Sequence, residues 1–424
     1  MQKKNIVNAF WIMSEKIISI FGLFFVTSFV AKYIGPYRFG QIALSIAIFQ
    51  VVQVISQMGC DNILFKRASK KKTSAISLIA STFHLRTFLY FVLSFFILCY
   101  FSITGDAISL IFVASVCLAY YILTIDVYSI YNDAILNSKM NTYANILGLI
   151  VGLSVRYIIA YFKMPIFYLA IPIVLTTFIP FTIRLLCAPK AKKICWKDKI
   201  KYNKYILQTG ISLVISTVSM TIYSRINQFS VSFIEGSYDL GVYSVALTLG
   251  TAWGFVGNAV AISFLSKIYA ETDDHKAMEI TAGLSLGIIF LLIMFPCVFI
   301  FIGPWVIQIL YGNDYSAAYP VAVILCFSTI ISTLGFVSNR FIVRFSGYNY
   351  LSKKTMVILF ISIPLSSLFT YCWGIVGSAY SVITIELMSL TVFNYFYNKR
   401  VVLKMHKKML NIKNLKYILR GFFN

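Results

Sequence analysis

Twelve apolar runs, each about the length of a bilayer-spanning helix, follow one another along this chain with short polar breaks between them. They occupy roughly residues 8–31, 41–62, 76–101, 108–132, 142–162, 166–187, 206–234, 241–265, 280–302, 318–340, 355–373 and 375–397. A helix needs ~20 apolar residues to cover ~30 Å of hydrocarbon. The runs are continuous, which excludes the alternating ten-residue segments of an outer-membrane barrel. Composition excludes a soluble globule: 59% of residues are hydrophobic and 12% charged, against about 45–50% and about 25% in soluble domains. The chain is therefore predicted to be an all-α polytopic membrane protein. Its first run is too long for a signal-peptide core and no small-residue cleavage site follows, so it is expected to be a retained first span.

A net charge of +23 would point to nucleic acid in a soluble protein. Here the distribution of that charge argues for topology and against a nucleic-acid partner. Lys66, Arg67, Lys70, Lys71 and Lys72, the central loop at 188–205, Arg340 to Lys354, and the tail from Lys399 all fall in alternate breaks. The opposite breaks hold only Lys32, Arg38 and Lys163. By the positive-inside rule both termini are expected in the cytoplasm and the number of spans is even. The outer breaks are short, the longest covering 303–320, which leaves no room for an external catalytic domain. Eight cysteines lack paired spacing, so neither a metal site nor a disulfide framework is expected. No phosphate-binding glycine loop, His-Glu-x-x-His motif or nucleophile elbow occurs in a water-facing segment. These absences count against an enzyme built on any of those motifs. The acidic group Glu271, Asp273, Asp274 and Glu279 reads as a solvated face.

The stretch VAKYIGPYRFGQIALS at 30–45 returns as VSFIEGSYDLGVYSVA at 231–246. Gly35 aligns with Gly236, Tyr37 with Tyr238, Phe39 with Leu240 and Gly40 with Gly241, all at one offset, and Lys66 aligns with Lys267. Each copy reads as a tight glycine turn between two helices. An offset near half the chain divides it into an N-terminal six-helix bundle (1–190), a basic cytoplasmic linker (191–205), a C-terminal six-helix bundle (206–398) and a basic tail (399–424). With an even number of spans per half, the halves are parallel repeats, and a site is expected between them near the midplane.

Charges inside the spans demand a reason, because each costs on the order of 2.5–3.5 kcal/mol at mid-bilayer on an insertion scale. Lys16, Arg86, Arg156 and Arg225 are candidates to line a cavity that attracts an anionic substrate. Glu15, Asp126, Asp133 and Glu386 are candidates to carry a coupling H+ or Na+. Asp126 and Asp133, seven residues apart, would share one helical face. Asp61, Arg184 and Arg340 lie close enough to span ends to snorkel. The alternative role for all these charges is pairing that locks helices together. The basic linker and tail, interspersed with apolar residues, are candidates to touch anionic membrane lipids.

Four stretches bring a family into view: Asn-Ala-Phe-Trp at 8–11, Tyr-Ile-Gly-Pro-Tyr-Arg-Phe-Gly at 33–40, Gly59 ahead of a basic run, and Glu-Gly-Ser-Tyr-Asp-Leu-Gly-Val-Tyr at 235–243. On these residues the chain resembles the Wzx-type polysaccharide flippases of the multidrug/oligosaccharidyl-lipid/polysaccharide (MOP) exporter superfamily. The resemblance implies two six-helix bundles forming a V that opens alternately to either side of a bacterial inner membrane. It implies as substrate an oligosaccharide repeat unit on undecaprenyl pyrophosphate, carried for O-antigen or capsule assembly. It also implies no organic cofactor, and as partners a polysaccharide polymerase and a chain-length regulator. A small-molecule or multidrug antiporter of the same superfamily is the first rival; a membrane-embedded polymerase or ligase is the second. About twelve spans depart from the fourteen of the related lipid II flippases.

Overall fold

The computed structural model describes residues 2–189 and 196–409. The side chains of Glu15 and Lys16, residues 191–195 of the linker and residues 410–424 of the tail lie outside the described residues. The described chain is helical throughout. By contacts it divides into two compact units, 1–222 and 223–424.

In the first unit α1 (Gln2–Gln57) is followed by α2 (Cys60–Lys70), α3 (Lys72–Thr104), α4 (Ala107–Ile125), α5 (Tyr128–Ala134), α6 (Ser138–Tyr161) and α7 (Ala170–Leu186). Then comes α8 (Trp196–Ile234), which contains the boundary between the units in sequence. The division falls there, and not in the linker, because the start of α8 packs with the first unit. Ile206 is buried among Cys60, Leu64 and Leu78, with Tyr202 and Val214 against the same cluster. Gly210 lies so close to the Met58 carbonyl that a Cβ would stand 2.4 Å from it.

The second unit continues with α9 (Ser237–Thr251), α10 (Gly254–Ala270), α11 (Asp274–Leu310), α12 (Ala318–Arg344), α13 (Tyr348–Leu390), α14 (Val392–Tyr395) and α15 (Val401–Met409). Its core gathers Ala261 and Ile268 of α10, Leu284 and Ile288 of α11, Phe341 of α12, and Val402 and Met405 of α15. The acidic group is more than a solvated face. Glu279 pairs with Lys408 at 3.0 Å and Asp274 pairs with Arg344, so carboxylates of α11 fasten α15 and α12 to it. His406 of α15 lies between the hydroxyls of Tyr395 (3.0 Å) and Ser338 (3.3 Å).

Among the described residues nine helices are long and apolar enough to cross a membrane, or ten with the bent pair 199–210 and 214–234 counted as one. Two continuous stretches are each broken by non-helical backbone, α1 at Gly35 and α13 at Trp373 and Gly374. These breaks fall in the gaps at 31–41 and 373–375 that separate apolar runs. Phe88, Phe95 and Phe96 of α3 are 62–67% exposed, an arrangement suited to lipid and unfavourable in water.

The sequence repeat is also a repeat of backbone. Gly35 has φ 75°, ψ 167° and Gly236 has φ 94°, ψ −175°, a region in which essentially only glycine rests without strain. Tyr37 and Tyr238 are 50% and 47% exposed, while Gly40 and Gly241 are buried.

At the second break, Asn227 of α8 holds both arms of α13. Its Oδ1 accepts from Ser366 (2.7 Å) before the break and from Ser378 (3.2 Å) and Ser381 (2.6 Å) after it. Ser366 also meets the Ser230 hydroxyl at 2.9 Å.

Candidate functional site

The intramembrane charges settle into two kinds of place. Arg86 of α3 is 1% exposed. It donates to the Thr124 carbonyl at 2.9 Å and to the Ile79 carbonyl at 3.4 Å. Thr124 lies in the last turn of α4, where carbonyls lack intrahelical partners, and the guanidinium supplies one. Arg86 is thus a buried cap on a helix end, away from any open surface.

Asp126 stands at the break after α4 and forms a buried ion pair with Arg184 of α7, both side chains at most 4% exposed. Arg184 also donates to Asn145 of α6. Three helices meet on one pair of charges, and Arg184 is buried where its position near a span end suggested snorkelling. The break at Asp126 and Val127 also interrupts the regular helix, so Asp126 and Asp133 do not share a continuous helical face. Asp133 accepts from Ser138 (2.5 Å) and from Asn141 Nδ2 (2.8 Å) at the start of α6.

Arg156, Arg225 and Glu386 take no part in those contacts. Arg156 of α6 is half-buried and makes no hydrogen bond or ion pair among the described residues. Arg225 of α8 is half-buried and donates to Gln228 at 2.8 Å. In the second unit a cavity of about 360 Å³ opens between α9, α10, α12 and α13. Glu386 lines it with Asn258, Thr251, Ser328, Ser332 and Thr333. The Glu386 carboxylate accepts from the Tyr223 hydroxyl at 2.8 Å, and the Asn258 side-chain oxygen is buried without a donor. A carboxylate, an amide and hydroxyls around one cavity form an oxygen-rich surface able to receive a proton or a small hard cation. Among the described residues no three His, Cys, Asp or Glu side chains come together as a metal site.

Sequence reasoning missed Arg184, Tyr223, Asn227 and Asn258. For Arg184 a signal existed: Asp126 and Arg184 close the fourth and sixth apolar runs at the same side of the membrane. For Tyr223 there was none, since it lies 163 residues from Glu386.

These features define a multi-pass α-helical membrane protein with the fold of a transporter. The chain belongs to the family described as polysaccharide biosynthesis protein, whose model it matches over residues 29–320. It is 22% identical over 210 residues to the capsular polysaccharide biosynthesis protein CapF of Staphylococcus aureus, covering 49% of this chain and 53% of that one. It is 25% identical over 229 residues to the probable lipid II flippase MurJ of a Synechocystis species, covering 50% and 43%. The chain thus spans about half the length of these curated relatives.

Among solved structures, the lipid II flippase MurJ in an inward closed conformation superposes with a TM-score of 0.66 at 14% identity, covering 98% of this chain and 93% of that one. An inward-facing multidrug resistance MATE family transporter of the MOP superfamily gives 0.60 at 13% identity, covering 93% and 95%. The fold is that of the MOP superfamily, as the sequence resemblance implied.

Proposed function

We propose that this protein is a flippase that moves oligosaccharide repeat units linked to undecaprenyl pyrophosphate across a bacterial inner membrane, for capsule or O-antigen assembly, by ion-coupled alternating access. The family description, the capsular role in the name of one relative and the lipid II flippase activity in the name of another support a lipid-linked substrate. The observation that carries the coupling part is Glu386, an intramembrane carboxylate on a cavity lined by hydroxyl and amide groups. A proton or Na+ bound there would be felt through Tyr223 by α8 and directly by α13. Arg156, Arg225 and Lys16 are the candidate cations to meet a pyrophosphate. Arg86, Asp126 and Asp133 serve the frame in this conformation, and Glu15 stays a coupling candidate. A polymerase and a chain-length regulator are the proposed partners.

Cells lacking the gene should accumulate lipid-linked repeat units on the cytoplasmic leaflet and lose surface polysaccharide. Wild type should restore both, whereas Arg156→Ala, Arg225→Ala and Glu386→Gln should reach the membrane and restore them poorly. Unchanged surface polysaccharide in the deletion strain would refute the reading.

The likeness to MATE transporters and the single carboxylate on the cavity favour a second reading, cation-coupled export of small molecules. Drug sensitivity of the deletion strain with normal polysaccharide would select it.

A further inference from the structure

At the end of the first unit that the basic residues mark, a cavity of about 440 Å³ lies between α2 and the start of α8. Lys66, Arg67, Lys70 and Lys71 line it, joined by the neutral polar side chains of Asn62 and Thr209. Asp61, the acidic residue of α2, is not part of the lining.

Arg67 is the unusual member. Its guanidinium lies 4.6 Å from the ring centroid of Tyr205 and 5.4 Å from that of Tyr202. Stacked this way the fork is held in place before any ligand arrives. One of its terminal nitrogens, Nη1, is buried and has no acceptor. A buried donor without a partner carries a desolvation cost that an incoming anion would remove.

Topological anchoring needs only lysines near a span end, solvated and dispersed. It requires neither a cavity nor an arginine held against two aromatic rings with an unsatisfied donor. We propose that this cavity is a binding site for a phosphate group, with Arg67 as the bidentate contact and Lys66, Lys70 and Lys71 as the surrounding positive field. Phe65, between two pairs of lining residues in sequence, is 49% exposed, which suits a headgroup whose acyl chains lie in the adjacent bilayer. The inference is independent of the transported substrate.

The test uses the purified full-length chain in detergent after delipidation. Thermal unfolding is followed while short-chain phosphatidylglycerol, short-chain phosphatidylcholine or inorganic pyrophosphate is added to wild type, Arg67→Gln, Arg67→Lys and Lys404→Gln. Lys404 is an exposed lysine of α15 in the other unit and controls for loss of one charge. Phosphatidylglycerol should raise the Tm of wild type and Lys404→Gln, and phosphatidylcholine should not. Arg67→Gln should raise the half-saturating concentration about tenfold, the equivalent of one charge-assisted contact. Arg67→Lys should fall between, keeping charge and losing the fork.

A Tm rise with pyrophosphate alone, equally dependent on Arg67, supports the site and assigns it to a soluble phosphate. Equal responses of Arg67→Gln and Lys404→Gln, or no response of wild type to either anion, overturn it. Should Arg67→Gln fail to fold, the double variant Lys70→Gln/Lys71→Gln, both exposed positions, is read by the same criteria.

Discussion

Removing one member of the Asp126–Arg184 pair leaves the other charged and dry; removing both leaves neither. Asp126→Leu should therefore lower stability by about 3–5 kcal/mol, and Asp126→Leu/Arg184→Met should recover most of the loss. Chemical denaturation in detergent micelles checks the pair, and a double variant as unstable as the single would refute the pairing argument. Arg86→Met should cost about 1–3 kcal/mol by leaving the Thr124 carbonyl without its donor. At this scale the sequence identified which residues were anomalous and not what they do. Arg86 and Arg156 read alike along the chain, as single arginines in apolar runs. One is sealed against a helix end and the other has no partner among the described residues, and only the break in α4 separates their roles.

His406 illustrates how an element is held. Burial of its ring pushes its pKa down to about 4, from an ordinary 6.5. Above pH 6.5 the ring is neutral whether α15 is docked or free, and docking is at full strength. Between pH 6.5 and 4 the released helix takes up a proton that the docked one refuses, so docking weakens as pH falls. At pH 5 the shift amounts to roughly thirtyfold in the docking equilibrium. Amide protection factors over 401–409, which normalise for the slower intrinsic exchange in acid, should fall between pH 7 and pH 5, and His406→Gln should flatten that response. The glycine turns give a second test. Nothing lies within 4 Å of a Cβ built at Gly35 or Gly236, so Gly35→Ala and Gly236→Ala meet only backbone strain, about 1–3 kcal/mol each, read by thermal unfolding. Gly210→Ala, blocked by the Met58 carbonyl, should lose more. The turns were legible because glycine there has one reason to exist. The seat of α15 was not, since a nine-residue basic helix in a tail carries no mark of its partners.

Over the whole molecule, the succession of long apolar helices was legible because the bilayer makes helix length an obligation of the solvent. The boundary between contact units was not, because a polar loop marks where the chain leaves the membrane and says nothing about which neighbours a following helix chooses. Topology remains a proposal open to direct measurement. Alkaline phosphatase fused after 105, 163 or 312 should be active, and after 71 or 409 inactive; the reverse pattern would invert the assignment of sides. The charge that sets this orientation is spread over many breaks, so single-lysine losses should leave it intact.

Asn227 has consequences for motion. One amide oxygen offers two lone pairs to three serine hydroxyls drawn from both arms of α13, so one donor is always in surplus. Ser381 already points as well to the carbonyl of Ser378 at 2.7 Å, and a hydroxyl that leaves the amide therefore has somewhere to go. As the arms shift along α8, bonds can be handed from one serine to the next without exposing a bare polar atom to the interior. A contact built this way would resist separation of the arms more than their sliding.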